Sequence, residues 1–293
     1  MRILYYTTGA SGSGNLVLGI SIANAFRRRG VEHTLTLLSS SPNFTDLADR
    51  MGIRHREVPF ENETQLSIEA YASSALYKAI TELNPDVLIV NLHWFMLSSF
   101  IRDLPCKKVF LCRQVEERFF TVPLGEKALA FCPEDYDLSL SIEPFRTSQP
   151  LRRINPIVLR NRSEILPGKD ALRKLGLTEG GNHCLFAFNG KPGDFKRMKK
   201  TYSYLEDEGY TMVYSTNYKG GLFPAVDYFN AFEMLICGAG YNSFWEAVYF
   251  HKEAVFVPEQ RRFENQFWRV EECQEYAFER NGADELVELI LGI

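Results

Sequence analysis

The chain alternates short apolar runs with longer stretches of helical periodicity, and it does so twice. Residues 2–7 form a β-branched and aromatic run that reads as a strand. A glycine-rich break over 9–14 follows. A helical pattern then runs from about residue 16 to Arg27-Arg28-Arg29-Gly30, where three cations suit a helix C-terminus and the glycine suits a left-handed cap. Residues 33–38 alternate like a second strand, 45–51 reads as helix, 53–58 as a third strand, and 66–83 as a longer helix stopped at Asn84-Pro85. Asp86-Val87-Leu88-Ile89-Val90 reads as a strand buried on both faces, as in a parallel sheet. Strand candidates at 107–111 and 128–132 bring this half to about six strands alternating with helices, the pattern of a doubly wound sheet.

Between 135 and 162 the periodicity fades and Pro144, Pro150 and Pro156 collect, which marks a connector. The alternation then restarts. It gives a helix at 170–175, a strand at 184–188, a loop at 189–193, a helix at 195–208, strands at 210–215 and 234–237, a helix at 241–250, a strand at 254–257, and helices at 264–278 and 284–291. The expected fold is α/β, two tandem Rossmann-like domains, 1–155 and 156–293, with a cleft between them.

Composition narrows the class. Of 293 residues, 45% are hydrophobic and 24% charged, which is globular usage and argues against disorder or a coiled coil. A formal net charge of −4 argues against nucleic acid as a partner. The six cysteines form no CxxC pair and sit in apolar runs, so they read as reduced core residues of a cytoplasmic protein. No stretch has the form of a signal peptide or a membrane span. Trp94-Phe95-Met96-Leu97 reads either as core or as an exposed anchor, which leaves peripheral contact with the inner face of a membrane open. The histidines lack ligand spacing, and Asp135-Tyr136-Asp137 matches an Asp-x-Asp metal motif only superficially, so no metal site is expected.

Two loops carry candidate chemistry. Gly9-Ala10-Ser11-Gly12-Ser13-Gly14-Asn15 lies between a strand and a helix, where glycines allow close backbone approach and the helix N–H groups favour an anion. It matches neither the dinucleotide fingerprint nor the Walker pattern. Gly238-Ala239-Gly240-Tyr241-Asn242 repeats the arrangement in the second half, with Asn242 or Ser243 as a cap and Glu246 one turn into the helix, placed to accept from two ribose hydroxyls. After the next strand, Arg261 and Arg262 offer charge for a diphosphate, and Asn265 and Gln266 offer contacts for sugar hydroxyls. Asn189 and Lys191 follow the first strand of the second half, on the same side. His93 follows a buried strand, where an imidazole could take a proton from a hydroxyl, and Glu116 or Glu117 in the loop Arg113-Gln114-Val115-Glu116-Glu117-Arg118 is the alternative base.

The runs Gly238-Ala239-Gly240-Tyr241-Asn242-Ser243-Phe244-Trp245-Glu246-Ala247, Phe256-Val257-Pro258-Glu259 and Arg261-Arg262-Phe263-Glu264-Asn265-Gln266 resemble the donor half of MurG-type peptidoglycan N-acetylglucosaminyltransferases. The first glycine-rich loop, with Gly12, Gly14 and Asn15, resembles theirs too. The resemblance implies a GT-B glycosyltransferase, metal-independent and inverting, with a UDP-sugar as donor substrate, no further cofactor, and a hydroxyl acceptor such as a glycan or glycolipid. It implies that Glu246 holds the ribose, that residues 238–242 line the diphosphate, and that Asn265 and Gln266 reach the donor sugar. Asn15 stands where those enzymes carry a histidine, and 216–229 is compressed where a base-stacking loop belongs. Closure of the domains would exclude water. Two other readings stay open: a UDP-sugar 2-epimerase, and a non-catalytic nucleotide-sugar-binding subunit.

Overall fold

The computed structural model describes residues 1–8, 13–40, 44–62, 65–124, 127–189, 192–218, 221–261 and 263–293. In chain order the first half comprises β1 (Arg2–Thr7), α1 (Gly14–Arg28), β2 (Thr34–Ser39), α2 (Thr45–Arg50), β3 (Arg54–Glu57), α3 (Ala75–Leu83), β4 (Val87–Asn91), β5 (Lys107–Cys112), β6 (Thr121–Leu124), β7 (Lys127–Ala130), β8 (Leu138–Ser141) and β9 (Arg152–Arg153). The second comprises α4 (Gly168–Leu175), β10 (His183–Ala187), α5 (Pro192–Thr201), α6 (Tyr204–Asp207), β11 (Thr211–Ser215), β12 (Met234–Gly238), α7 (Tyr241–Tyr249), β13 (Glu253–Val257), α8 (Gln266–Cys273) and α9 (Gly282–Leu291).

The large sheet has the order β3-β2-β1-β4-β5-β8-β9 and the smaller one β11-β10-β12-β13. Every pairing within these two sheets is parallel. The order reverses between β1 and β4 in one sheet and between β10 and β12 in the other, and such switch points open a crevice at the carboxyl ends of the strands. Period-two side chains divide the core. Ile3 and Tyr5 face α1, while Leu4 and Tyr6 face the opposite layer with Leu88, Val90 and Phe110.

Three expectations change. The segment read as a connector supplies β8 and β9, which extend the large sheet, whereas the strand expected at 128–132 forms an antiparallel hairpin with β6. Pro123 in β6 lacks an N–H to give a ladder, which suits a two-stranded flap. The helix expected at 66–83 begins only at Ala75. Ser74 Oγ accepts from Tyr77 N at 3.1 Å, and the buried Glu61 carboxylate accepts from Ala75 N and Leu76 N at 2.7 and 2.9 Å, so a cap and an acid fix the start there. Trp94, Met96 and Leu97 are core residues, 2%, 9% and 0% exposed. Among the described residues no helix is long and apolar enough to cross a membrane.

The halves share one core cluster. Residues 15–26 of α1 are all buried, because the helix has the sheet on one side and α7 and α9 on others. Arg28 joins Asp284 at 2.8 Å and Glu164 at 3.1 Å, and Arg29 pairs with Glu288. At the foot of α9, Gly282 N donates to Pro156 O at 3.0 Å. A Cβ on Gly282 would lie 1.8 Å from Asn155 O, a backbone atom that cannot swing aside. Gly282→Ala is therefore expected to lower stability by about 1–3 kcal/mol or more. A urea midpoint equal to that of the unaltered protein would contradict this packing.

Candidate active-site cleft

The carboxyl ends of both parallel sheets open onto one cleft of about 390 Å³. The first half lines it with Gly14 and Asn15 after β1, His93 after β4, and Arg113 and Gln114 after β5. The second half contributes Asn189 after β10, Gly238 and Gly240 after β12, Asn242 and Glu246 on α7, and Glu259, Arg261 and Gln266 beyond β13. Leu222, Phe223 and Phe229 form an apolar stretch of wall. Gly12, Lys191 and Arg262 lie outside the described residues.

Two helix N-termini meet here. Asn242 Nδ2 on α7 donates to Gly14 O on α1 at 2.9 Å. Beside them, Asn217 Nδ2 donates to Ser13 Oγ at 2.7 Å, and Asn217 N donates to Asn189 Oδ1 at 2.7 Å. Gly240 is an extended N-cap without a side chain, and the first bond of α7 runs from Phe244 N to Gly240 O at 3.0 Å. The N–H groups of Tyr241, Asn242 and Ser243 thus have no intrahelical partner. Together with the helix dipole they make a site for an anion.

The turn is more selective than its sequence suggests. Ala239, expected beside the diphosphate, is fully buried and outside the lining: its N–H donates to Val257 O at 3.0 Å and its carbonyl accepts from Arg269 Nη1 at 2.7 Å. The Tyr241 phenol turns away into the contact between the halves, accepting from Ile157 N at 2.7 Å and donating to Ile142 O at 3.2 Å. Burial raises its pKa well above the ordinary tyrosine range.

Glu246 faces the cleft, and its carboxylate accepts from the Leu159 backbone N–H. Burial, reinforced by the negative charge of Asp227, pushes its pKa up to about 8 against the opposing pull of that hydrogen bond and of Arg160. His93 faces it from the first half. Its Nδ1 lies 3.2 Å from Asn91 O, an acceptor, which assigns the ring proton to Nδ1 and leaves the Nε2 lone pair without a partner among the described residues. Burial lowers its pKa to about 4, with the Arg113 charge acting in the same direction and the Asn91 contact opposing. Asn15 is only 6% exposed and lines the cleft, and neither Nδ2 nor Oδ1 of its amide has a partner among the described residues.

Other expected residues are spent on structure. Glu116 is exposed, pairs with Arg118 at 2.6 Å and does not line the cleft, so it is not placed to serve as a base. Asn265 caps α8, its Oδ1 accepting from Trp268 N at 3.0 Å, and does not line the cleft either. Gln266 does line it, but its Oε1 accepts from Glu259 N at 2.9 Å and so shapes the loop. Arg261 pairs with Glu259 at the rim. Asp135 and Asp137 are occupied by Arg102 and Lys107.

The sequence reading did not find a buried ion-pair network behind the cleft. Arg269 on α8 and Glu143 after β8 are both fully buried, with Arg269 Nε to Glu143 Oε1 at 2.7 Å and Nη2 to Oε2 at 3.1 Å. Glu143 Oε1 also accepts from Trp245 Nε1 at 2.6 Å, and Oε2 from Gln114 N at 2.7 Å. The pair is 126 positions apart in the chain, and no local motif announces it.

No protein-family model and no curated protein matches the chain. Solved structures do share its fold. The spinosyn forosaminyltransferase SpnP is 14% identical with a TM-score of 0.62, covering 100% of this chain and 90% of that one. The spinosyn rhamnosyltransferase SpnG, complexed with spinosyn aglycone, is 14% identical with a TM-score of 0.61, covering 100% and 92%. The Streptomyces sp. SF2575 glycosyltransferase SsfS6, complexed with thymidine diphosphate, is 13% identical with a TM-score of 0.55, covering 89% and 82%. These neighbours are GT-B glycosyltransferases, and the fold of this chain is theirs.

The His93 environment has a measurable consequence. Because its pKa is depressed on folding, the neutral ring contributes stability that is present above the unfolded value of about 6.5 and lost as pH falls towards 4. Ring-carbon NMR titration is expected to show His93 uncharged down to about pH 4. A midpoint near the ordinary histidine value would refute the buried placement.

Proposed function

We propose that the protein is a glycosyltransferase that moves a sugar from a nucleoside diphosphate donor, a UDP-sugar, to a hydroxyl acceptor, with inversion and without a metal. The observation that carries this reading is the N-terminus of α7 opening on the cleft with Glu246 one turn behind it. An anion site and a diol-binding carboxyl at that spacing suit a pyrophosphate joined to a ribose. The fold supports it, as do the thymidine diphosphate and the aglycone found with two of the structural neighbours.

In this reading the base lies against Leu222, Phe223 and Phe229, the diphosphate against the α7 amides, and the sugar towards the first half. His93 Nε2 takes the proton of the acceptor hydroxyl as its oxygen attacks the anomeric carbon. The bond from that carbon to the phosphate oxygen breaks, and its electron pair leaves with the diphosphate. The α7 N-terminus and Arg261, released from Glu259, stabilise the departing charge. Asn15 offers its free amide to a hydroxyl or phosphate oxygen. A binding subunit without turnover is a second reading, favoured by the carboxamide of Asn15 where MurG-type enzymes carry a titratable histidine. An epimerase is a third, and incubation with donor alone separates it from transfer.

Calorimetry with UDP tests the donor site. Glu246→Ala should cost about 1–3 kcal/mol of binding, and dTDP, which lacks the 2′-hydroxyl, should bind about fivefold more weakly than UDP only while Glu246 is present. Glu246 accepts ribose hydroxyls as the carboxylate, yet its pKa is raised to about 8, so UDP affinity should climb from pH 6.5 to 8.5 with a proton released on binding. Folded protein with no affinity for any nucleoside diphosphate would sink the proposal. His93→Gln is expected to lower kcat by about 10²–10⁴ with UDP affinity unchanged, and full turnover in that variant would dismiss the histidine as base.

A further inference from the structure

Arg269 has no exposed surface and does not line the cleft, yet it grips the turn that does. Its Nη1 donates to Ala239 O at 2.7 Å, while Nε and Nη2 are held by Glu143 from the other half of the chain. Glu264 Oε1 lies 2.8 Å from the same Nη1. A trans peptide is planar, with its C=O and N–H pointing in opposite directions. The carbonyl of Ala239 and the N–H of Gly240 belong to one such plane. Arg269 holds the carbonyl on the buried side, so the Gly240 N–H is turned to the other side, where Gly240 lines the cleft. The N–H of Ala239 is fixed on Val257 O, which leaves the turn little freedom to rotate.

We infer that Arg269, braced by Glu143 across the two halves, is a positioning residue that aims the Gly240 N–H at the phosphate of a bound nucleotide. Resting on the donor site proposed above, the inference adds a further amide to those of Tyr241, Asn242 and Ser243, and it places control of phosphate binding in a residue the ligand never touches. Glu143 carries that control to the first half, because its Oε2 also accepts from Gln114 N beside Arg113 on the opposite wall.

The experiment compares UDP, inorganic pyrophosphate and uridine by calorimetry on the full chain, with a thermal melt for each variant. Arg269→Lys keeps a cation for Glu143 but lacks the planar fork needed to serve Glu143 and Ala239 O together. UDP and pyrophosphate are expected to bind about ten- to a hundredfold more weakly to it, and uridine unchanged. Gly240→Pro is the second variant. The φ of Gly240 is −65°, which proline adopts, and a Cβ there meets nothing within 4 Å, so the substitution removes the N–H in a compatible backbone. It should show the same split, losing affinity for UDP and pyrophosphate while uridine binds as before. A variant that melts early but weakens UDP and uridine equally marks Arg269 as a structural residue only, and overturns the inference. So does a folded Arg269→Lys or Gly240→Pro protein with full pyrophosphate affinity. If the unaltered protein binds no UDP, the donor site itself fails, and the inference falls with it.

Discussion

The molecule is organised around one ion pair with no access to water. Bringing Glu143 and Arg269 out of solvent costs several kcal/mol per ion, and only a nearly complete set of partners offsets that cost. Both carboxylate oxygens of Glu143 are shared, one with Trp245 and one with Gln114, and the remaining guanidinium nitrogen is committed to Ala239. Each partner belongs to a different element around the cleft: Trp245 to α7, Gln114 to the loop after β5 and Ala239 to the turn after β12. The pair can persist only if the loop after β5, the turn after β12 and the two helices α7 and α8 hold one relative arrangement. Its contribution lies in specifying that arrangement more than in net stability.

That constraint bears on how the halves move. The sequence reading expected closure of two domains over the substrates. Around the cleft, however, Tyr241 joins Ile142, Asn242 joins Gly14, Asn217 joins Ser13, and Asn265 N donates to Gln114 Oε1 at 2.6 Å. A hinge swing would break these bonds together. The arrangement suits a cleft that receives its ligands already shaped, with adjustments confined to loops at the rim.

The parts of the fold that were legible in the sequence are those governed by short-range signals. Buried runs such as 87–90, the glycine after Arg29 and the small residues at 238–240 each announce their local geometry, and the alternation of strands and helices follows from them. What depends on distant partners was not legible. Glu61 decides where α3 begins from more than a dozen residues away, and Leu138–Ser141 is a strand because β5 needs a neighbour. The same division runs through the site. Glu246 and His93 were readable because each follows a strand at a switch point. Ala239, Tyr241 and Asn265 carry the right residue types in the right run, yet long-range bonds claim the first two and the cap of α8 claims the third. The sequence shows which atoms approach the cleft, and the tertiary structure decides which remain available.

The docking of α9 on α1 also shapes the order in which this protein can be made. The outer face of the first helix stays uncovered until α9 has emerged, since a nascent chain folds from its N-terminal end. The large sheet can assemble early, but with an apolar helix exposed until α9 follows. A chain cut short before residue 282 would keep all of the described sheet strands and still present that helix to whatever it meets.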